Sequence, residues 1–406
     1  MHSSLRESVT HAERRVPGID VLRGLCILAV VVHHINLRLR FDKTDLGKLM
    51  GPAVNKVLFW SGYYGVRVFF VISGFLIAGW SLKRWGRLNS IDLRQFYVMR
   101  FARIVPCRVA LLMLLSVLDR ADVPQFIINP QRASLSRALL AGATFHVNWL
   151  EAHHGYLPAG WDVLWSLSVE EVFYILFPLF CLLLRKHKAI VLLLCCFVII
   201  GPYARVHAVN DIWADYGYLS GMDGIAFGCL AAILATKIRL STRDNLLLRA
   251  GGVSLCLLIE VFRGKVVPIG FYNAGLDVTV LQIGTAMLIL GLQLKSDWDA
   301  TSSNSVTIAG TGKRTFWRGS AVLRWYGRNS YEVYLTHMLV VWPMVILYWH
   351  LHQGVRMAPL WFIAATALAG GLGYAVARFY SEPLNQKLRW KLRRPALKAA
   401  ATVASD

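Results

Sequence analysis

The chain has 406 residues, 56% of them hydrophobic and 17% charged, with a mean hydropathy of +0.48. Ordinary soluble domains do not combine these values, so a soluble enzyme is excluded. Lys and Arg number 44 against 23 Asp and Glu, a net +21; these basic residues fall mostly between apolar runs, which marks membrane topology rather than nucleic-acid binding.

Residues 1–18 form a mostly polar tail with Arg6, Arg14 and Arg15. The first apolar run follows at once and runs into His33 and His34 with no small-residue cleavage site after Val32, so a signal peptide is not expected. A bilayer core needs about 20 mostly apolar helical residues. Candidate spans lie at roughly 20–37, 57–80, 104–118, 161–184, 189–207, 217–236, 249–263, 273–294, 322–349 and 358–380. The weaker segment 138–150, with His146 and Asn148, reads as an interfacial or re-entrant piece.

The expected fold is therefore an all-α polytopic membrane protein with about ten transmembrane helices. An even number of spans returns both termini to one side. The basic residues Lys83, Arg84 and Arg103, Arg185, Lys186 and Lys188, Lys237 and Arg249, Lys295 and Arg318, and Lys387 and Lys398 then face the cytoplasm, as the excess of Lys and Arg in cytoplasmic loops requires. One loop dissents: Arg38, Arg40, Lys43, Lys48 and Lys56 follow the first span yet fall outside. The division expected is a cytoplasmic tail at 1–18, a membrane domain at 19–382 with a flexible cytoplasmic linker at about 296–320, and a basic cytoplasmic tail at 383–406. No internal repeat is evident. The seven cysteines sit almost entirely in apolar runs without CxxC or zinc-ligand spacing, so packed thiols and no metal site are expected.

Four constellations carry chemistry. In the first span, Asp20 and Arg23 precede His34. At about 100° per residue, Arg23 and His34 are some 20° apart in azimuth and roughly 16 Å apart along the axis, so they share a face. Arg23 either snorkels to the interface beside Asp20 or points inward with His34, and ionisable groups inside a span are functional candidates. Imidazole is the side chain best suited to proton transfer near neutral pH.

Ser166, Glu170 and Tyr174, spaced four apart at the head of a later span, line one stripe; Glu171 points about 100° away from Glu170. In the second span, Arg67 must find a partner, whereas Ser73 and Gly74 suggest close helix approach. Arg100 and Arg103, three apart at a helix start, either grip phosphates through forked hydrogen bonds or anchor the span by charge.

Taken together these segments resemble the membrane-bound acyltransferase-3 family, which moves acetyl or other short acyl groups onto sugars of cell-surface glycans. The resemblance covers nearly the whole chain. It rests on an Arg followed after ten residues by His (Arg23 to His34) and on Phe-Phe-Val-Ile-Ser-Gly-Phe-Leu-Ile at 69–77. It rests also on Arg-x-x-Arg-Ile-x-Pro at 100–106 and Trp-Ser-Leu-Ser-Val-Glu-Glu at 165–171, on the run from Gly327 to His337, and on Ser381-Glu382-Pro383. Departures are Arg67, where the family often has Asp or another polar residue, Met222, where many members have Arg ahead of Asp223, and Thr336, which replaces a common aromatic before His337. With no hydrolase-like domain after Asp406, the chain is expected to be of the shorter, unfused type.

The resemblance implies a carbohydrate O-acyltransferase of the bacterial cytoplasmic membrane, multi-pass, with both termini cytoplasmic. Acetyl-CoA or another acyl-CoA is the donor substrate, no cofactor is bound permanently, and the partners are a cell-envelope carbohydrate acceptor and membrane lipids. His34 would act as general base or transient acyl carrier, with Glu170, assisted by Ser166, orienting His34 or the acceptor. Arg23, Arg100 and Arg103 would hold the coenzyme A phosphates, and Asp20, Arg67, Ser73, Tyr174 and His337 are further candidates. Two other classes stay open on the residues alone: a proton-coupled transporter or flippase for a small acylated or charged molecule, which also needs intramembrane Arg, His and Glu, and a sensor or scaffold without turnover.

Overall fold

A computed structural model describes residues 16–266, 275–293 and 319–391. Among the described residues there is no strand. Among the described residues nine helices are long and apolar enough to cross a membrane, and a bent pair makes ten. The linker expected at 296–320 and parts of the tails expected at 1–18 and 383–406 lie outside the described residues.

Helix α1, Pro17–Leu39, starts with proline in its first turn, where a missing N–H costs nothing, and carries Asp20 there. It ends at Arg40 in the left-handed region, with Asn36 Oδ1 taking the Phe41 N–H at 2.8 Å. The face where α1 begins is called the near face below. Helix α2, Asp45–Phe59, is capped by Thr44 and broken at Gly51 and Pro52. Helix α3, Gly62–Trp85, returns to the near face, and α4, Leu93–Arg120, capped by Asp92, crosses again.

At the far face lie three short helices, α5 (Leu135–Ala143), α6 (Val147–His154) and α7 (Ala159–Asp162). The expected segment at 138–150 is thus two helices of 9 and 8 residues, neither long enough to cross. Then follow α8 (Leu164–Leu184), α9 (His187–Val206), the short α10 (Asp211–Tyr216), α11 (Tyr218–Ala235), α12 (Thr242–Val266) and α13 (Leu276–Gln293).

The single span expected at 322–349 is three helices: α14 (Ala321–Arg328), α15 (Ser330–Thr336) and α16 (Met338–His350). Asn329 donates its side-chain amide to the Trp325 carbonyl at 2.8 Å, which satisfies the end of α14 and lets it stop. The axes of α15 and α16 differ by 48° across His337. Helix α17, Ala358–Val376, runs back and passes through a π-helical turn, Ala377–Ser381, into helical residues to 391.

Two crossings are held at backbone contact. A Cβ on Gly74 of α3 would meet the Ile225 carbonyl, and one on Gly228 of α11 the Val71 carbonyl, so the small residues of 73–74 include a packing device. Gly24 of α1 and Gly327 of α14 stand in the same reciprocal relation, against the Leu323 and Asp20 carbonyls. The dissenting basic loop also gains a reason. Much of it is α2, whose Leu46, Leu49, Val54 and Leu58 are exposed while Lys48 and Lys56 flank them, an amphipathic pattern suited to a membrane interface.

Candidate functional site

Arg23 and His34 do lie along one face of α1, and both meet the broken span. Arg23 Nη2 donates to Ser330 Oγ at 2.8 Å, at the start of α15. His34 meets His337, the residue at the break: the ring centroids are 4.9 Å apart and His337 Nε2 lies 3.4 Å from His34 Nδ1. Each ring places its Nδ1 on a backbone carbonyl, His34 on Val30 at 2.8 Å and His337 on Tyr334 at 2.7 Å. A carbonyl only accepts, so Nδ1 carries the hydrogen in both neutral rings and each Nε2 keeps its lone pair. His337 is fully buried and His34 half-buried, so the free Nε2 of His34 is the one open to a reactant.

The members of the α8 stripe, Ser166, Glu170 and Tyr174, do different things, and Ser166 is the one that reaches the surroundings of this pair, through Tyr334. Tyr334 donates to the Val163 carbonyl at 3.0 Å, so the 2.6 Å contact between Ser166 Oγ and Tyr334 Oη has the serine as donor. Ser166 therefore fixes the tyrosine one turn before His337. Glu170 lies nearer the other face: Tyr174 donates to its Oε2 at 3.3 Å and also contacts the Ser73 hydroxyl. Arg100 and Arg23 both act electrostatically on Glu170, and the Arg100 guanidinium sits 4.9 Å over the Tyr174 ring. No hydrogen bond joins Glu170 or Ser166 to His34 among the described residues; the partner of His34 there is His337.

The two arginines of α4 differ in the same way. Arg103 is an ion-pair hub, 3.2 Å from Glu332 and 3.7 Å from Glu382, and Ser381 donates to Glu332 at 2.7 Å. Three segments far apart in sequence, at 100–104, 327–337 and 381–383, thus close on one another. Arg100 makes no direct ion pair among the described residues. Its N–H donors are the ones available for an anionic ligand.

Arg67 is absent from this line. It is fully buried and donates to the Ser220 and Asp215 carbonyls, both at 2.6 Å, and to Tyr63 Oη at 2.7 Å, binding α3 to α10 and α11. Beside it lies a pair that sequence reasoning missed, Arg205 to Asp223 at 2.7 Å, the two side chains 6% and 0% exposed. Also missed were Tyr334, Glu332, Asp162 and Arg108; the last is buried in α4 with Nε on the Gly142 carbonyl at 2.7 Å. An ionisable residue inside an apolar run was itself the signal for Arg108.

All seven cysteines are free, and no group of three or more His, Cys, Asp or Glu side chains able to hold a metal occurs among the described residues.

A polar line thus crosses the bundle, from Arg100 and Arg103 through Arg23 and Glu170 to Tyr334 and the two histidines. Arginines at one end suit an anionic donor, and an imidazole with a free Nε2 at the other suits proton abstraction. The model of an acyltransferase domain matches residues 16–378. The chain is 26% identical over 367 residues to the peptidoglycan O-acetyltransferase OatA of Listeria monocytogenes, covering 83% of this chain and 51% of that protein. It is 26% identical over 364 residues to the putative peptidoglycan O-acetyltransferase YrhL of Bacillus subtilis, with 83% and 50% covered. A putative O-acetyltransferase of Staphylococcus aureus is 23% identical over 359 residues, with 81% and 51% covered. The chain spans about half the length of the curated relatives it matches. No solved structure matches.

Proposed function

The chain belongs to the acyltransferase-3 family, and from that membership we propose an integral-membrane O-acyltransferase that moves an acetyl or other short acyl group from acyl-CoA to a hydroxyl of a cell-envelope carbohydrate. The relatives named for peptidoglycan O-acetylation make a wall saccharide the first acceptor to try. The observation that carries the reading is the His34–His337 pair closing one end of a line whose other end is arginine.

In this reaction the acceptor hydroxyl gives its proton to His34 Nε2. Its oxygen forms the ester bond to the acyl carbon, the carbon–sulfur bond breaks, and the coenzyme A thiolate leaves and takes up the proton. His337 keeps the His34 ring oriented. Tyr334, fixed by Ser166, sets His337 through its own carbonyl. The alternative course, attack by His34 Nε2 on the thioester to give an acyl-imidazole, uses the same atom and orientation. The near face is cytoplasmic in this reading, since Lys83, Arg84, Arg185, Lys186, Lys188, Lys237 and Arg239 all sit at that end of their helices. The membrane would be the bacterial cytoplasmic membrane, with the donor entering from the near side and the acceptor from the far side.

The test is transfer of radiolabelled acetyl from acetyl-CoA to soluble wall saccharide by the purified chain in detergent. An enzyme needs no second compartment. Flux across liposomes together with no transfer in detergent would replace this reading with a transporter.

For the donor, Arg100 is the arginine that carries the phosphate contact, because Arg103 is already neutralised by two glutamates. Hydrogen bonds to charged groups contribute about 1.5–3 kcal/mol, so Arg100→Ala is expected to raise the KM for acetyl-CoA roughly 10- to 100-fold. The saccharide KM should stay in place. Steady-state kinetics with each substrate varied in turn measures both.

A further inference from the structure

On the acyl-transfer reading above, the acceptor side can be taken one step further. One helical turn beyond the histidine pair, from His34 to Arg38 and from Met338 to Trp342, a cleft of about 390 Å³ opens at the far face. Its lining includes Arg38, Tyr156, Asp162, Met338 and Trp342. That volume falls within the range of small-molecule sites, about 300–1,000 Å³.

The cleft wall is fixed to the proposed reaction centre. Arg38 Nη1 donates to the His34 carbonyl at 2.6 Å, and its guanidinium lies 4.1 Å over the Trp342 ring. Two donors on this wall, Arg38 Nε and Trp342 Nε1, are buried and lack a hydrogen-bond partner among the described residues. Unmet buried donors are costly unless a ligand or water completes them.

Across from them stands Asp162, which accepts from Tyr216 Oη at 3.3 Å and feels the Arg38 charge. Behind it Glu151 is fully buried with Oε1 on the Leu157 N–H at 3.0 Å. Burial and the neighbouring Asp162 hold the Glu151 carboxyl well above the usual carboxylate range. The lining therefore holds one cation, one carboxylate and an indole N–H, with the Tyr156 ring 47% exposed at its edge.

An anion would meet Asp162 and a cation would meet Arg38. Groups that both donate and accept on one atom satisfy both, and an apolar face beside them suits the aromatic rim. We propose that this cleft is the acceptor subsite and that it takes a neutral sugar ring by its hydroxyls. Arg38 Nε and Trp342 Nε1 donate to sugar oxygens, Asp162 accepts from a hydroxyl, and the hydroxyl next to these is delivered to His34 one turn deeper.

The test uses the full chain in detergent and a β-1,4-linked tetramer of N-acetylglucosamine as probe. An Ile127→Cys substitution on the cleft lining is labelled with a maleimide, over the background of the parental cysteines. The tetramer is expected to slow labelling at least threefold, and Asp162→Asn or Trp342→Phe to abolish that protection. In turnover assays both substitutions should raise the KM for the tetramer about tenfold and change the KM for acetyl-CoA less than twofold. Equal labelling with and without tetramer, or an unmoved saccharide KM in both variants, overturns the subsite. Protection without any acetyl transfer by the parental chain keeps the subsite and removes the acyl-transfer reading; transfer without protection does the reverse.

Discussion

The His34→Ala protein is expected to transfer acetyl groups about 10²–10⁴-fold more slowly than the parental chain, the range contributed by a positioned acid or base. The KM for acetyl-CoA should hold, because the arginines proposed to hold the donor lie nearer the other face. The geometry is specific about which atom is lost: Nδ1 of His34 is committed to the Val30 carbonyl, so Nε2 alone is available. His337 contacts that ring rather than the reactant, and acts as a positioning residue. Its replacement by Ala is expected to slow turnover roughly tenfold and to displace the pH profile of kcat, since it changes the surroundings of the proton acceptor. A merely structural loss would reduce the active fraction and leave the profile where it was. Protein denatured rapidly at neutral pH after incubation with labelled acetyl-CoA and no acceptor separates the two courses: label retained by the parental chain and absent from His34→Ala marks an acyl-imidazole, and no label in either marks a general base. Parental rates in His34→Ala would remove the histidine from the chemistry.

What the sequence made legible follows the periodicity of single helices. The azimuths of Arg23 and His34 and the stripe of Ser166, Glu170 and Tyr174 needed only the helical repeat, and both appear as drawn. The span count was legible for the same reason, because apolar runs set it. What was not legible is which helix lies beside which. That His34 meets His337 rather than Glu170 depends on α15 and α16 breaking at 48°, a bend that hydropathy over 322–349 does not register. Glu332 as the partner of Arg103 was hidden likewise by a separation of 229 residues. Arg67 drew attention as a charge at depth, and it needed partners as expected. Those partners are mostly backbone carbonyls of α10 and α11, which no residue pattern announces.

The largest loss of stability is expected from Asp223→Ala. Asp223 is fully buried and holds Arg205 Nη1 at 2.7 Å, Gln282 Nε2 at 2.9 Å and the Gly224 N–H at 2.7 Å. Met222 leaves this aspartate without an adjacent arginine in sequence, and the guanidinium comes instead from α9. Arg205 also donates to the Gly275 and Ser220 carbonyls, and Ser220 O is shared with Arg67. Removing the carboxylate leaves the buried Arg205 guanidinium with uncharged partners only, beside a second guanidinium that shares the Ser220 carbonyl. Breaking a buried ion pair from one side costs about 3–5 kcal/mol, a large part of the roughly 5–15 kcal/mol that keeps a domain folded. Asp223→Ala should accordingly give little monodisperse protein in mild detergent, with a melting temperature well below that of the parental chain. Asp223→Asn, which keeps an acceptor for Arg205 and loses only charge, should fall between. Replacing both partners, Arg205→Met with Asp223→Leu, should recover part of the loss, because the uncompensated charge goes with the pair. A parental melting temperature for Asp223→Ala would show that the pair is not what binds α9, α11 and α13 together. The same comparison separates this network from the histidine pair: folded Asp223→Asn protein should still transfer acetyl groups, whereas His34→Ala should keep its melting temperature and lose turnover.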